Sequence, residues 1–465
     1  MEEKQMNLIY NIKDKPKFPQ MLLFALQQLL AILAATIAVP AIIGNGMSQS
    51  AALFGAGVGT LVYQLFTKFK SPVFLGSSFA FISSMFVAFS GAVAASTGYL
   101  GLIIGAALAG LVYVIIALLV KFFGVAWISK LMPPVVIGPT VAIIGLSLAA
   151  NAVKDAMGYG EIASTYNMDL RTLLCLVCAL VTLATVFVCS VYGKKMMKLI
   201  PFIIGILAGY VVALIFTLIG MVAKVDAMLI IDFTKFQNMS WLPDFSFVKT
   251  FQEPMNFGEF GNFWSYLGTV AVAYVPVAFV VFAEHIADHK NLSSIIGADL
   301  LEEPGLHRTL LGDGVGSMVG AIFGGCPNTT YGESVGCVAI TKNASVITIT
   351  TTAIMAIVAS FFAPFVTFLA TIPSCVMGGV CISLYGFIAV SGLKMIQKVN
   401  LEESSNLFTV SVILICGIGG FALQIGKVTL TAIACSLILG ILTNILLNRK
   451  KAQATVEETT EETKE

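Results

Sequence analysis

The chain has 465 residues, of which 58% are hydrophobic and only 11% are charged, and its formal net charge at pH 7 is +1. Soluble domains carry roughly 25% charged residues, because charged side chains cover the surface that faces water. The low charge excludes a soluble fold of this size, and the near-neutral balance excludes the basic surface that binds nucleic acid. The composition therefore predicts a protein embedded in a lipid bilayer.

Apolar segments long enough to enter a membrane recur along the sequence. A helix needs about 20 apolar residues to cross the hydrocarbon core, and the sequence predicts fourteen such segments. They lie near residues 21–40, 49–67, 72–90, 97–122, 131–152, 169–191, 199–223, 263–289, 309–325, 328–344, 346–371, 374–393, 405–424 and 427–447. The third and the tenth are the weakest, because Pro, Gly and polar residues interrupt them.

The positions of Lys and Arg between these segments predict the orientation. Connections on the cytoplasmic side of membrane proteins are enriched in Lys and Arg. With the N-terminus inside, 20 of the 26 Lys and Arg residues fall at the predicted inner ends and connections. This asymmetry predicts an even number of spans in a plasma or inner membrane, with both termini in the cytoplasm.

The two halves of the sequence share a pattern of broken segments. Residues 71–79 interrupt the third segment and residues 326–333 the tenth, while Pro133–Gly138 opens the fifth and Pro373–Gly378 opens the twelfth. Matching features lie seven segments apart, and this odd offset inverts one repeat relative to the other. Inverted repeats with broken segments in matching positions indicate the substrate site of a secondary transporter.

The two broken segments are expected to meet inside the membrane. Unpaired backbone groups are tolerated at that depth only where protein covers them or where they line a cavity. Each broken segment is therefore predicted to form a short extended stretch followed by a short helix, whose N-terminal end can bind a ligand.

Ionisable side chains inside a span are rare and mark functional sites. In segment eight, Glu284 and Asp288 are four residues apart and share one helix face, while His285 and His289 share a neighbouring face. Glu333 follows the break in segment ten. We predict that the three carboxylates belong to the site, and we expect His289 to face water at the cytoplasmic end of its helix.

Two other classes of protein are less compatible with these residues. Two His four residues apart can hold zinc in a membrane-embedded metalloenzyme, but Glu284 precedes both His instead of lying between them as in H-E-x-x-H. A channel would show rings of charge or a repeating polar stripe. We therefore predict a transporter with no catalytic residues, no metal site and no cofactor other than a coupling ion.

Residues 327–336, PNTTYGESVG, followed by Thr341 and Lys342, resemble the signature of the nucleobase–ascorbate transporter (nucleobase:cation symporter 2) family. The stretch 283–289 and the stretches 75–81 and 304–308 resemble its bacterial uracil permeases. The resemblance extends over roughly residues 20–447. Ser334 departs from the signature, which usually has Asn at this place, and some relatives have His where Asp288 stands.

The resemblance implies an all-α fold of fourteen transmembrane segments in two inverted repeats of seven, with a core domain and a gate domain. The implied organisation is a cytoplasmic N-terminus (1–20), core segments one to four (21–125), gate segments five to seven (126–225), an extracellular loop (226–262), core segments eight to eleven (263–372), gate segments twelve to fourteen (373–448) and an acidic cytoplasmic tail (449–465). The tail composition predicts disorder. The family also implies a possible homodimer.

The resemblance further implies which residues bind the substrate. Glu284 and Glu333 would hydrogen-bond a pyrimidine ring, and backbone groups at Phe79, Tyr331 and Gly332 would complete the site. Ala35 in the first segment would pack beside it.

Carboxylates in a medium of low dielectric constant prefer the neutral form, so Glu284 and Asp288 are the predicted proton carriers.

The predicted function is import of uracil, coupled to protons, by alternating access. A xanthine or purine permease of the same fold is the alternative, whereas Glu284 and Glu333 argue against a carrier of inorganic anions.

Overall fold

The computed structural model of the protein describes residues 8–124, 127, 133–194, 196–425 and 428–462. Within these ranges, the first half of the chain contains helices, one short strand and the loops that connect them. Its elements are α1 (Phe18–Ile43), α2 (Gln49–Phe66), β1 (Leu75–Ser77), a 3-10 turn (Phe79–Phe81), α3 (Ile82–Ala88), α4 (Ala95–Phe123), α5 (Pro134–Ser147), α6 (Ala149–Ala156), α7 (Leu170–Val191), a single helical turn (Met196–Leu199) and α8 (Pro201–Ala223).

A loop leads to the second half of the chain. It contains four short helical turns, Asp226–Met228, Phe233–Asn238, Ser246–Lys249 and Gly258–Phe260. The elements there are α9 (Phe263–Ile296), a turn of π-helix (Leu301–Gly305), α10 (Leu306–Gly324), β2 (Asn328–Thr330), α11 (Gly332–Thr341), α12 (Val346–Ser360), α13 (Ala363–Thr371), α14 (Ser374–Ile396), α15 (Ser404–Ile418), β3 (Leu423–Ile425), β4 (Val428–Leu430) and α16 (Ala432–Glu462).

Several of these helices have the length and composition of membrane spans. Within the described ranges, seven qualify: α1, α4, α5 together with α6, α7, α8, α9 and α14. Helices α12 and α13 qualify as a pair that bends by 82° and would make an eighth. Large apolar side chains such as Leu111, Phe122 and Val222 are exposed on their outer faces, as suits helices that face lipid. The prediction of a helical, multi-pass membrane protein is confirmed, and the count of fourteen spans stays a prediction.

The two predicted breaks contain the strands β1 and β2, which pair with each other. The pairing is antiparallel, with Leu75 opposite Thr330 and Ser77 opposite Asn328. Two further backbone hydrogen bonds extend it, from Ser78 N to the oxygen of Pro327 (2.9 Å) and from Tyr331 N to the oxygen of Phe74 (3.3 Å). Each strand is followed by a short helical stretch. The prediction of two extended stretches that meet and lead into short helices is therefore confirmed.

The helices pack in two groups. In each group the helices pack mainly on one another. The first helix group comprises α1, α2, α4, α9, α10 and α12. The second helix group comprises α5, α7, α8, α14, α15 and α16. Their closest contacts involve glycine, because a missing side chain lets two backbones approach. A Cβ atom on Gly55 of α2 would lie 2.5 Å from the carbonyl oxygen of Gly320 in α10.

The C-terminal region differs from the sequence expectation. The antiparallel pair β3 and β4 lies at the end of the thirteenth predicted segment and the start of the fourteenth. The last helix continues to Glu462, and the disordered tail over 449–465 stays a prediction. Residues 449–462 include no Gly or Pro and contain four Glu, two Lys, two Ala, one Arg and one Gln, which favour helix. The remaining residues of the predicted tail lie outside the described ranges.

The glycine contact between α2 and α10 predicts a loss of stability on substitution. In Gly55→Ala the added methyl group would overlap the backbone of Gly320, so the helices must separate, at a cost of about 1–3 kcal/mol. Gly386→Ala in α14 is the matched control, because its Cβ would meet nothing within 4 Å. Thermal unfolding in detergent should show a lower midpoint for Gly55→Ala alone. Equal midpoints for both variants would contradict the role of this contact.

Candidate functional site

A cavity of about 400 Å³ lies between the two helix groups. One wall comes from the first group and the paired breaks, and it comprises Ser78, Phe79, Ala80, Glu284, Ala287, Asp288, Thr329, Thr330, Tyr331, Gly332 and Glu333. The opposite wall comes from α5, α8 and α14 and comprises Val141, Ile144, Phe202, Leu384, Phe387, Ile388, Ser391 and Met395. The first wall is rich in polar groups, whereas Ser391 is the one residue of the second wall with a hydroxyl or charged group.

Helix α9 presents its two carboxylates to this cavity. Glu284 and Asp288 lie one turn apart and both line it, as their spacing of four residues predicts. The Glu284 side chain is exposed to the cavity, and Asp288 is half-buried. Thr330 donates a hydrogen bond from Oγ1 to Asp288 Oδ2 (2.9 Å), which joins α9 to the end of β2.

The two imidazoles of α9 point away from the cavity. His285 Nδ1 lies 2.7 Å from Asp313 Oδ2. The Thr309 hydroxyl donates its own hydrogen to the oxygen of Leu306. His285 Nε2 therefore donates to Thr309 Oγ1 (3.0 Å). The side chains of His285 and Asp313 are 0% and 1% exposed. This buried pair therefore connects α9 to α10 in the interior.

His289 is also buried, so the expectation that it faces water is wrong. Its Nδ1 donates to the carbonyl oxygen of His285 (2.8 Å), and its Nε2 lies 2.7 Å from the Tyr63 hydroxyl of α2. The helix continues to Ile296, seven residues beyond His289, so this ring lies inside the helix and not at its end. In the part of the chain that the structure describes, no group of three or more His, Cys, Asp or Glu is placed to hold a metal.

The break before α11 aims the start of that helix at the cavity. Tyr331 precedes the helix, and its hydroxyl donates to the oxygen of Ser77 in β1 (2.7 Å). The Tyr331 ring packs on Gly76, where a Cβ would lie 2.3 Å from ring carbons. Gly332 and Glu333 form the first turn of α11. The N–H groups of a first turn have no partner within the helix, and they give this end a partial positive charge.

The structure brings most of the predicted site residues together. Six of them line the cavity, namely Phe79, Glu284, Asp288, Tyr331, Gly332 and Glu333. Ala35 is buried in α1 and is not among the lining residues. Ser334 is buried beside Glu333 and likewise does not line the cavity.

Sequence reasoning missed the second wall and part of the first. Phe202, Phe387 and Met395 lie in apolar helices, and nothing in their sequence distinguishes them from residues that face lipid. Thr330 carried a usable signal, because it lies inside the motif of the tenth segment.

A solved structure of another protein is similar in fold. The chain aligns with the transmembrane domain of a cyanobacterium bicarbonate transporter, BicA, with a TM-score of 0.62 over 94% of this chain and 100% of that chain. The sequence identity is 18%, so the likeness concerns the fold alone. The fold is therefore one that membrane transporters use.

The chain belongs to the Permease family, which its residues 19–426 match. It is 40% identical to the uracil permease of Bacillus caldolyticus, over 94% of each chain. It is 38% identical to the uracil permease of Bacillus subtilis (strain 168), over 97% of this chain and 98% of that one. Because the family and these relatives are permeases, the protein is a transport protein and not an enzyme.

The contact between His285 and Asp313 predicts a specific loss of stability. Asp313→Ala leaves a buried imidazole nitrogen without its partner, which should lower the free energy of unfolding by about 3–5 kcal/mol. Asp313→Asn keeps a side chain that can hydrogen-bond to His285 and should lose less. Unfolding midpoints of the purified variants in detergent provide the measurement. If Asp313→Ala unfolds at the wild-type temperature, the pair does not anchor α9.

Proposed function

We propose that the protein imports uracil together with protons across the cell membrane by alternating access. The observation that carries the proposal is the polar wall of the cavity, where Glu284, Glu333 and the first turn of α11 converge. The names of the two Bacillus relatives point to the same substrate.

The polar wall matches the edge of a pyrimidine. Uracil presents ring N–H donors and carbonyl acceptors in alternation. The carboxylates of Glu284 and Glu333 can accept from the N–H groups, and the backbone N–H groups at the start of α11 can donate to a carbonyl oxygen. The flat faces of the ring then pack on apolar side chains such as Phe202 and Phe387 of the opposite wall. Few polar groups in a largely apolar cavity are typical of small-molecule sites.

Proton coupling is proposed for Glu284 and Asp288. Both carboxylates face the same cavity from one helix face, and charge is unfavourable in a medium of low dielectric constant. A proton on either group lowers the cost of closing the cavity around a neutral base. Thr330 already bonds to Asp288, so Glu284 is the carboxylate freer to exchange its proton with the substrate.

Alternating access is proposed to be a movement of the two helix groups relative to each other. The first group corresponds to the core domain, segments one to four and eight to eleven. The second corresponds to the gate domain, segments five to seven and twelve to fourteen. The proposal includes fourteen spans in two inverted repeats, with both termini in the cytoplasm and the loop 226–262 outside. A homodimer in the bilayer is a further part of this proposal.

A purine such as xanthine is the second candidate substrate. The observation that keeps it open is the cavity volume of about 400 Å³, which admits a two-ring purine as well as a pyrimidine. Competition between unlabelled xanthine and labelled uracil distinguishes the two, because a purine transporter should prefer xanthine.

Uptake of radiolabelled uracil into proteoliposomes tests the proposal. We expect an inward proton gradient to stimulate uptake by the wild type, and Glu333→Gln to reduce uptake at least about tenfold, because an amide lacks the charge-assisted hydrogen bond of a carboxylate. Glu259→Gln is the matched control, since Glu259 is exposed in the loop before α9, and it should transport normally. Uptake of xanthine without uracil would change the substrate, and no uptake of any nucleobase would refute the function.

The same assay separates the two proposed proton carriers. Glu284→Gln should also bind uracil more weakly, but the uptake that remains should not depend on the proton gradient if Glu284 carries the proton. Uptake by Glu284→Gln that stays fully dependent on the gradient would assign the proton to Asp288.

A further inference from the structure

Ser334 lies where α11, the residue before β1 and α1 meet, although it does not line the cavity. It follows Glu333 in the first turn of α11 and is 0% exposed. Its Oγ accepts a hydrogen bond from the backbone N–H of Phe74, the residue before β1 (3.0 Å). It also accepts from the side-chain amide Nε2 of Gln28 in α1 (2.5 Å).

The bond to Phe74 extends the pairing of the two breaks beyond the strands themselves. The other backbone group of Phe74, its carbonyl oxygen, accepts from the N–H of Tyr331 (3.3 Å). Phe74 is therefore bonded on both sides to the segment that begins α11. Gly332 and Glu333 lie between these two attachment points, so the position of the first turn of α11 is fixed relative to β1.

Gln28 adds a third attachment, from a long helix. It is 3% exposed in a helix whose other buried residues are apolar apart from Thr36. A buried amide is costly unless it is hydrogen-bonded, and here the Ser334 hydroxyl oxygen supplies an acceptor. α1 packs on α2 and α12, so Gln28 connects the first turn of α11 to the body of the first helix group.

We propose that Ser334 and Gln28 act as a pair of positioning residues that hold the Glu333 carboxylate at the distance uracil binding requires. The inference rests on the proposed function and names residues that neither touch the substrate nor line its cavity. Because Ser334 is the direct neighbour of Glu333, a shift of its side chain moves the peptide that carries the Glu333 carboxylate. Small displacements of a binding group weaken an interaction steeply, since a hydrogen bond tolerates little change in distance and angle.

A purely structural role makes a different prediction from a positioning role. A structural pair would lower the unfolding temperature and the yield of folded protein, while the protein that does fold binds with normal affinity. A positioning pair raises the Kd and the KM for uracil in the protein that does fold, with or without a fall in the unfolding temperature, and leaves kcat per folded molecule little changed. The affinity of the folded protein therefore separates the two roles.

The experiment measures uracil binding to the purified, full-length protein by calorimetry, together with thermal unfolding and uptake kinetics in proteoliposomes. The variants are Ser334→Ala, Gln28→Leu and the double substitution. Gln28→Leu replaces the amide by an apolar side chain of similar size and carries the test if Ser334→Ala does not fold. Ser360→Ala is the matched control, because Ser360 is a buried serine in α12 whose Oγ donates only to the nearby oxygen of Ile357 (2.6 Å).

We expect each single variant to raise the Kd by about tenfold, with kcat within about twofold of wild type and Ser360→Ala unchanged. Because the two residues act through one contact, the double variant should raise the Kd by less than the product of the single effects. Unchanged Kd values, lower stability with normal Kd, or fully multiplicative effects would each overturn the proposal. Absence of uracil binding by the wild type would instead refute the proposed function, and this inference with it.

Discussion

The structure depends on one constraint, which is that backbone N–H and C=O groups need partners where water is excluded. Two segments of this chain give up helical hydrogen bonds at their breaks, and they satisfy the freed groups on each other through the pairing of β1 with β2. The pairing requires close approach, and Gly76 provides it by leaving room for the Tyr331 ring. A short helical stretch follows each strand directly. The strand pairing that satisfies the backbone N–H and C=O groups therefore also directs a helix N-terminus at the cavity.

Helix α9 shows how the protein keeps structural and functional polar groups apart. Four ionisable side chains occupy positions 284, 285, 288 and 289. The imidazoles are held by Asp313, Thr309 and Tyr63 on neighbouring helices, whereas the carboxylates face the cavity. A helix anchored on one face cannot rotate about its axis without breaking buried contacts. The orientation of Glu284 and Asp288 therefore follows from hydrogen bonds made by residues that do not reach the cavity.

The parts of the site that could be predicted are those with an unusual residue in an apolar context. Pro, Gly and carboxylates are rare inside membrane segments, so the breaks and the cluster of Glu284, Asp288 and Glu333 stood out. The opposite wall could not be predicted, because an apolar residue that lines a cavity looks the same in sequence as one that faces lipid. His289 was misplaced for a related reason, since the length of α9 beyond it depends on packing that the sequence does not display. Gln28 was visible as a polar residue in the first segment, but its partner Ser334 is distant in sequence and could not be inferred.

The unequal chemistry of the two walls bears on how such a site can open. Hydrogen bonds depend on distance and direction, whereas apolar contact is non-directional and scales with the area removed from water. A ligand held by the polar wall keeps its hydrogen bonds if the apolar wall slides or tilts, and the movement changes only the apolar area that is covered. Under the proposed mechanism the first helix group would therefore hold the base, while the second group exposes it to one side or the other. The packing of β1, β2 and α11 on helices of the first group fits this division, because relative movement among these elements would separate the groups that bind the same ring.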